Sequence, residues 1–365
     1  MPNNELIKSA TIVEVETASL LEKLQATSKM LIERSRIEID SVKTLIEFQE
    51  NPVLYFNSIL LLQGQKGSHK SRVLELIISS LYNNQKPNSA GFCAKINDFK
   101  VILVDTERSK LQFLPKAIQR IKKAAGFPIE YDLPSFYPYS VIDVARESRL
   151  QAIQEIIEYH RRDYLGHLIV AVDVTSDLLM NFNDVSESMN LTDYLNDLVN
   201  ANDCAFMMVL HENPGSTSNK SRGHLGSELT NKSATVIQTE NKGVVNIKYL
   251  HIRESRNPGT FHLKYDDAIN SLVPISKEEA TELEVNEIVL FEQESRELLK
   301  NGTRVTAGEF YNTMKNLIGI STNTCKKYIN IINKKNADDN ESIISSIKIG
   351  RSNYYFIENK QLKAI

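Results

Sequence analysis

The run Leu60-Leu61-Leu62-Gln63-Gly64-Gln65-Lys66-Gly67-Ser68-His69-Lys70-Ser71 carries an apolar stretch into a glycine-containing loop, and Arg72 to Leu81 continues as an amphipathic segment. A strand, a Gly-rich turn and a helix in that order gather backbone N–H groups and a helix N-terminus around one point, a site for polyphosphate. In the pattern G-x-x-x-x-G-K-[ST], Lys70 reaches the β- and γ-phosphates and the Ser71 hydroxyl binds Mg2+. The candidate nucleotide-binding residues are therefore Gly64, Gln65, Lys66, Gly67, Ser68, His69, Lys70, Ser71 and Arg72, with ATP and Mg2+ as the expected ligands. His69 stands where the pattern has its last glycine. A helical φ/ψ is expected there, with Gly67 supplying the conformational freedom instead. A plain turn between a strand and a helix is the alternative for this segment.

Two further segments deliver carboxylates. Val101-Ile102-Leu103-Val104 is a buried-strand pattern running into Asp105-Thr106-Glu107. At the carboxyl end of such a strand a glutamate can orient and deprotonate the water that attacks a γ-phosphate; otherwise Asp105 or Glu107 is a helix cap. Leu168–Val172 delivers Asp173, suited to a Mg2+ shell. Asp177 and Asp184 are expected to be structural or solvated. Phe206–Leu210 ends in His211, either a γ-phosphate sensor or a hydrogen-bonded strand-end histidine. A long polar stretch follows from Glu212 to Leu229, and such loops are usually functional or disordered. Lys220 and Arg222 within it suit a phosphate backbone or a neighbouring subunit's nucleotide.

These residues need a sheet to hold them at one edge. Strands are predicted at Ser58–Gln63, Lys100–Asp105, Ser135–Tyr139, His167–Asp173, Ala205–His211, Ala234–Thr239 and Val245–Arg253, with helices at 70–84, 110–124, 146–164 and 186–202. Near-continuous apolar strands alternating with amphipathic helices argue for a mainly parallel, doubly wound α/β sheet. Residues 51–275 form this domain, and residues 1–50 read as a helical arm that packs on the body or contacts another subunit.

Residues 284–365 follow a different pattern. A helix at about 286–300, a second after the capping-box spacing Thr306-Ala307-Gly308-Glu309 and a third from Ser321 to about Asn333 precede two β-rich runs around Gly350-Arg351-Ser352-Asn353. This order predicts a winged helix–turn–helix. Asn323, Lys326 and Lys327 near a helix start suit a major groove, and Arg351 in the wing turn suits a phosphate. Protein docking is the alternative use of such a domain.

The bulk numbers agree. The net charge of -3 opposes a uniformly basic nucleic-acid binder, but residues 301–365 hold ten Lys/Arg against five Asp/Glu. Cys93, Cys204 and Cys325 are widely spaced and suggest neither a metal site nor a disulfide framework. Without a signal-peptide pattern or an apolar run of about 20 residues, a cytoplasmic location is expected.

With Gly64–Ser71, Asp105-Thr106-Glu107 and Asp173, the segment His211-Glu212-Asn213-Pro214-Gly215 and then Arg222-Gly223-His224-Leu225-Gly226-Ser227-Glu228-Leu229 resembles the RecA-like AAA ATPases of plasmids and mobilizable elements. These are relatives of the RepA replicative helicases, in the version found in Bacteroidetes mobile elements. The resemblance covers about residues 50–270. It implies a RecA-type sheet with nucleotide bound between subunits of a hexameric ring, Glu107 as catalytic base, Asp173 as the Walker-B residue and His211 as sensor. One of Arg253 and Arg256 falls where related helicases place a basic finger for the neighbour's γ-phosphate. The expected function is a Mg2+-dependent ATPase, a helicase-like motor that passes single-stranded DNA through its core, in replication or mobilization of a mobile element, with duplex DNA at the C-terminal domain. A nucleotide-gated DNA-binding regulator or replication initiator with little turnover is the alternative from another class, and a RecA-like recombination mediator a third.

Overall fold

A computed structural model describes residues 19–38, 42–82, 89–213, 221–338 and 342–358. The chain divides into two units, Met1–Lys43 and Thr44–Ile365. In the first, helix α1 (Leu20–Ser35) starts at a reciprocal capping box between Ser19 and Glu22, as Ser at N-cap with Glu at N3 favours. Its apolar residues Leu20, Leu21, Leu24, Met30, Leu31 and Ile32 are all exposed.

The second unit is built on a nine-stranded sheet. Strand β1 (Thr44–Phe48), β2 (Asn51–Tyr55) and β4 (Phe92–Ala94) form a separate three-stranded sheet in the order β2-β1-β4. Residues 44–48 are thus a strand of the body, where the sequence predicts helical arm. The large sheet contains β3 (Ile59–Gly64), β5 (Phe99–Asp105), β6 (Phe136–Ser140), β7 (His167–Asp173), β8 (Cys204–His211), β9 (Thr235–Lys242), β10 (Val244–Ile252), β11 (Thr260–Asp266) and β12 (Ser271–Ile275). Its order is β12-β11-β10-β9-β3-β8-β7-β5-β6. The pairings from β9 through β6 are parallel, and β10, β11 and β12 are added antiparallel. The fold is α/β with a mostly parallel central sheet.

Both faces of the sheet are covered, which is why β3, β5, β7 and β8 read as unbroken apolar runs. Helices α2 (Lys70–Ser79) and α3 (Phe113–Ala124) bury Val73, Ile77 and Ile121 against Leu60, Leu62, Val101 and Leu103. On the other face α4 (Arg149–Arg161), α5 (Val185–Asn202) and α6 (Gly223–Lys232) bury Ile153, Leu195 and Leu229 against Leu61, Ile102 and Val170. Alternate residues of one strand therefore feed two cores. Burying each such side chain contributes about 1.5–3 kcal/mol. The helices following β3 and β5 lie on one face and those following β6, β7 and β8 on the other, so the carboxyl edge opens as a crevice of the kind that binds ligands in such sheets.

A third core belongs to the C-terminal elements. Helix α7 (Lys277–Leu298), β13 (Val305–Thr306), α8 (Ala307–Ile318), α9 (Thr322–Asp338), β14 (Ile343–Ile349) and β15 (Ser352–Glu358) enclose Phe291, Phe310, Met314, Tyr328 and Ile332. Thr306 and Glu309 form the expected capping box at α8. The first helix, however, starts at Lys277, nine residues before the predicted position, capped by Ser276. Among the described residues no helix is long and apolar enough to cross a membrane.

Candidate nucleotide site

The loop after β3 closes tightly because Gly64 lies against its neighbours. A Cβ at this position would run into the Ser68 hydroxyl and the Thr239 carbonyl. The Ser68 and Thr239 hydroxyls are 2.8 Å apart, and the Ser68 N–H donates to the Gln65 carbonyl at 3.1 Å. Gln65, Lys66 and Gly67 form the exposed tip. Gly67 (φ 84) and His69 (φ 66, ψ 21) both take left-handed backbone. The expectation of a helical φ/ψ at His69 therefore fails: the residue in the last-glycine position keeps a glycine-like conformation. That conformation costs an L-residue about 1–2 kcal/mol. The His69 ring stacks on Tyr265 at 6.1 Å, and burial, reinforced by Arg72, lowers its pKa.

Helix α2 starts with no side-chain cap and no acidic residue in its first turn. Its first N–H groups have no capping partner, which leaves the positive end of the helix dipole open to an anion. Lys70 is 5% exposed, and its Nζ donates to the Gln65 carbonyl at 2.8 Å, folded back over the loop. Burial brings the Lys70 ammonium down to about 8, against the opposing charges of Glu212 and Glu107. Ser71 is half-buried in the first turn. Arg72 leaves the loop: it donates to the Asn270 carbonyl at 3.2 Å and lies over the Tyr265 ring at 5.8 Å.

A cavity of about 380 Å³ lies between α2, α3 and the turn from β11 to β12. Arg72, Glu75, Lys116, Arg120, Lys123 and Tyr265 line it, together with the apolar Leu76 and Leu272.

Register brings the carboxylates together. Asp105 pairs with Asp173 across β5 and β7, and Gly64 with His211 across β3 and β8. Thr106 locks the first pair: its N–H donates to the Asp173 carbonyl at 2.9 Å, and its hydroxyl accepts from the Val174 N–H at 2.8 Å. Asp105 Oδ1 accepts from the N–H groups of Glu107 and Arg108 at 3.2 and 2.7 Å, so Asp105 is the cap of this turn. Glu107 stands exposed at the mouth, with no side-chain hydrogen bond among the described residues. Partial desolvation and the charges of Asp177 and Asp105 raise its pKa, while Arg108 and Lys70 oppose the rise.

Asp173 is not open on both sides. Arg108 Nη2 donates to its Oδ2, and the same guanidinium reaches Asp105 at 3.1 Å and Glu75 at 3.3 Å. Glu75 is also held by Arg120 through two bonds of 2.6 Å. Asp173 Oδ1 is buried without a hydrogen-bond partner. That orphaned oxygen fits a cation or its water, since a lone pair left unpaired in the interior is costly. Among the described residues no group of three or more His, Cys, Asp or Glu is placed to hold a metal alone. Mg2+ sites commonly use one or two carboxylates plus substrate phosphates. Asp177 pairs with Arg146 at 3.2 Å, and Asp184 caps α5, accepting from the Glu187 N–H at 2.8 Å.

His211 is half-buried, and burial, with Lys70 and Arg222, lowers its pKa to about 4. The stretch after it is not one long loop. Gly223–Lys232 is helix α6, with Leu225 and Leu229 buried, and Glu212 bridges back to Ser221. Arg222 is exposed, with its guanidinium 4.5 Å from the Phe182 ring. Lys220 lies outside the described residues.

Arg253 and Arg256 are exposed in the turn after β10. Since Ile252 pairs with Thr235, and Thr235 with Leu60, that turn sits at the edge of the sheet opposite the loop. Neither arginine belongs to this chain's own crevice. Asn323, Lys326, Lys327 and Arg351 are exposed on the C-terminal elements, but Lys327 is ion-paired with Glu284 of α7.

Sequence reasoning missed Arg108, Glu75 and Glu212. The signal for Arg108 was a cation directly after Asp105-Thr106-Glu107. Glu75 and Glu212 carry no local sign, since only folding buries them. No protein-family model matches this chain, and no curated protein matches it either.

Proposed function

We propose that this chain is a Mg2+-dependent ATPase with a RecA-like core and a C-terminal winged helix, a helicase-like motor acting on DNA in replication or mobilization of a mobile element. The observation that carries the reading is Lys70. A lysine is buried at an uncapped helix N-terminus, in a loop made tight by Gly64, at the same sheet edge as Glu107, Asp173 and His211. In this reading the loop from Gly64 to Arg72 is a P-loop holding the β- and γ-phosphates, and the adjoining cavity gives the nucleoside room. Ser71 and the free oxygen of Asp173 would hold Mg2+, which supplies charge neutralisation on the transferring phosphate. Glu107, raised in pKa and free of partners, takes the proton of the attacking water. His211, neutral at physiological pH, senses the γ-phosphate through a hydrogen bond.

Arg253 or Arg256, at the far edge, would serve a neighbouring subunit's nucleotide, consistent with a homo-oligomer and a hexameric ring. Among the C-terminal elements, α8 and α9, joined through Gly319 to Ser321 and followed by the β14–β15 hairpin, support the winged-helix reading, in which α9 with Asn323 and Lys326 is the recognition helix and the turn at Arg351 the wing. ATP hydrolysis measured with and without single-stranded DNA, alongside light scattering for assembly state, tests the motor. Glu107→Gln is expected to retain ATP binding and lose 10²–10⁴-fold in turnover, roughly the contribution of a general base. Full activity of that variant removes Glu107 from the mechanism.

The Arg108–Asp173 pair favours a second reading, a nucleotide-gated DNA-binding regulator or initiator with little turnover. Sequence-specific duplex binding with negligible hydrolysis would select it.

A further inference from the structure

Glu212 is 6% exposed, yet among the described residues it forms no ion pair. Asp105, Asp173, Asp177 and Glu75, the carboxylates packed around the crevice behind the exposed Glu107, are each matched by an arginine. Glu212 is held only by neutral groups: its Oε1 accepts from Gln63 Nε2 at 2.8 Å and from Gln238 Nε2 at 2.7 Å. The Gln63 amide is fixed at its other end, because its Oε1 accepts from the Ser221 hydroxyl. A buried relay therefore runs Gln238–Glu212–Gln63–Ser221 across the ends of β9, β8 and β3, one residue before Gly64 and one before Arg222. The Glu212 N–H donates to the Gly64 carbonyl at 3.0 Å, which sets this residue at the base of the loop that ends in Lys70, and each charge acts on the other through space. A buried carboxylate without an ion pair is costly to keep, and a phosphate at Lys70 would face it.

We propose that Glu212 is a positioning residue that competes with phosphate for Lys70, so that it loosens the hold on nucleotide and passes occupancy through Gln63 to Ser221. The proposal rests on the nucleotide-binding reading. Before phosphate arrives Glu212 offsets the charge of Lys70 through space, without an ion pair. When phosphates take Lys70, the carboxylate is left beside added negative charge and leans on its two amides. The Gln63–Ser221 bond then transmits the change to the backbone at Arg222, whose N–H donates to the His211 carbonyl at 2.9 Å.

The experiment is calorimetric titration of the full chain with MgATP and MgADP, for the wild type, Glu212→Gln and Glu212→Asp. Glu212→Gln keeps acceptors for both amides and removes the charge, and it is expected to bind both nucleotides about tenfold more tightly, the scale of a charge–charge repulsion in a partly buried site. Glu212→Asp keeps the charge and is expected to bind within about threefold of the wild type. A merely structural role predicts weaker binding for both. Hydrogen exchange at the Arg222 amide supplies the second readout: ATP is expected to change its rate in the wild type and not in Glu212→Gln. Unchanged or weaker binding by Glu212→Gln, with a wild type that binds, overturns the proposal and leaves the ATP site standing. A wild type that binds no nucleotide overturns both.

Discussion

Arg108 donates to Asp173 across the ends of β5 and β7, and the same guanidinium reaches Glu75 on α2. One arginine thus ties two strand ends to the helix that follows the glycine loop, and it neutralises the carboxylate best placed for a cation. The pairing stabilises the crevice, and in the proposed mechanism it competes with Mg2+ for Asp173.

Replacing Arg108 by Gln should therefore separate the two effects. With Asp105 and Asp173 left without a cation, while Arg120 still holds Glu75, about 3–5 kcal/mol of stability should be lost, as for breaking a buried pair. The same variant should gain more thermal stability from added MgCl2 than the wild type does. Thermal unfolding with and without MgCl2 measures both; an equal Mg2+ response in the two proteins rules the competition out.

Lys70 sets a pH dependence with a definite sign. Its pKa in the folded chain is about 8, below the ordinary lysine value of 10.5. Between those values the unfolded chain binds more protons than the folded one, so this group makes stability rise with pH from about 8 to 10.5. Anion binding should move the other way, because a neutral amine no longer attracts phosphate. ATP affinity should weaken as pH passes 8, and Lys70→Met should flatten that limb. A wild-type affinity constant from pH 7 to 9.5 would contradict the assignment.

His211 gives the complementary window. Its pKa of about 4 lies below the ordinary 6.5, so the unfolded state binds the extra proton between these values, and this group's contribution to stability falls as pH drops from 6.5 to 4. Proton NMR of the His211 ring should place its titration near 4, and a midpoint near 6.5 would remove the neutral-sensor role.

His69 holds left-handed backbone, so glycine should suit the position better. His69→Gly should gain about 1 kcal/mol even after losing the stacking on Tyr265. A raised melting temperature is the expected result. A fall would mean that the ring contact outweighs the backbone cost.

For the C-terminal elements, duplex binding should weaken in Lys326→Ala and Arg351→Ala, and each should lower the salt slope by about one. Lys327→Ala should have a smaller effect, because Lys327 is already paired with Glu284. Fluorescence anisotropy across a salt series separates the three, and an unaltered slope in all of them would point away from DNA.

Burial on both faces makes β3, β5, β7 and β8 readable one residue at a time, since every position must be apolar. Hence Leu168–Val172 and its terminal Asp173 were legible, as was the strand, turn and helix around Gly64 to Ser71, because local backbone chemistry suffices there. Helix α6 was harder: its glycines and polar residues read as loop, and only Leu225 and Leu229, four apart, marked a buried face. The sheet of β1, β2 and β4 was hidden because its strands are short and β4 joins β1 from 44 to 48 positions away. No local pattern could state that Arg108 would meet Glu75 and Asp173, 33 and 65 positions away, or that Glu212 would be buried without a cation. The same holds for Arg253 and Arg256, which the antiparallel turn of β10 carries to the opposite edge. Neighbours in the chain are enough to set the strand, turn and helix around Gly64 to Ser71 and the strands that end in Asp105 and Asp173. Tertiary structure alone decided which charges face each other, because Coulomb interactions and desolvation depend on distances that only the packed sheet sets.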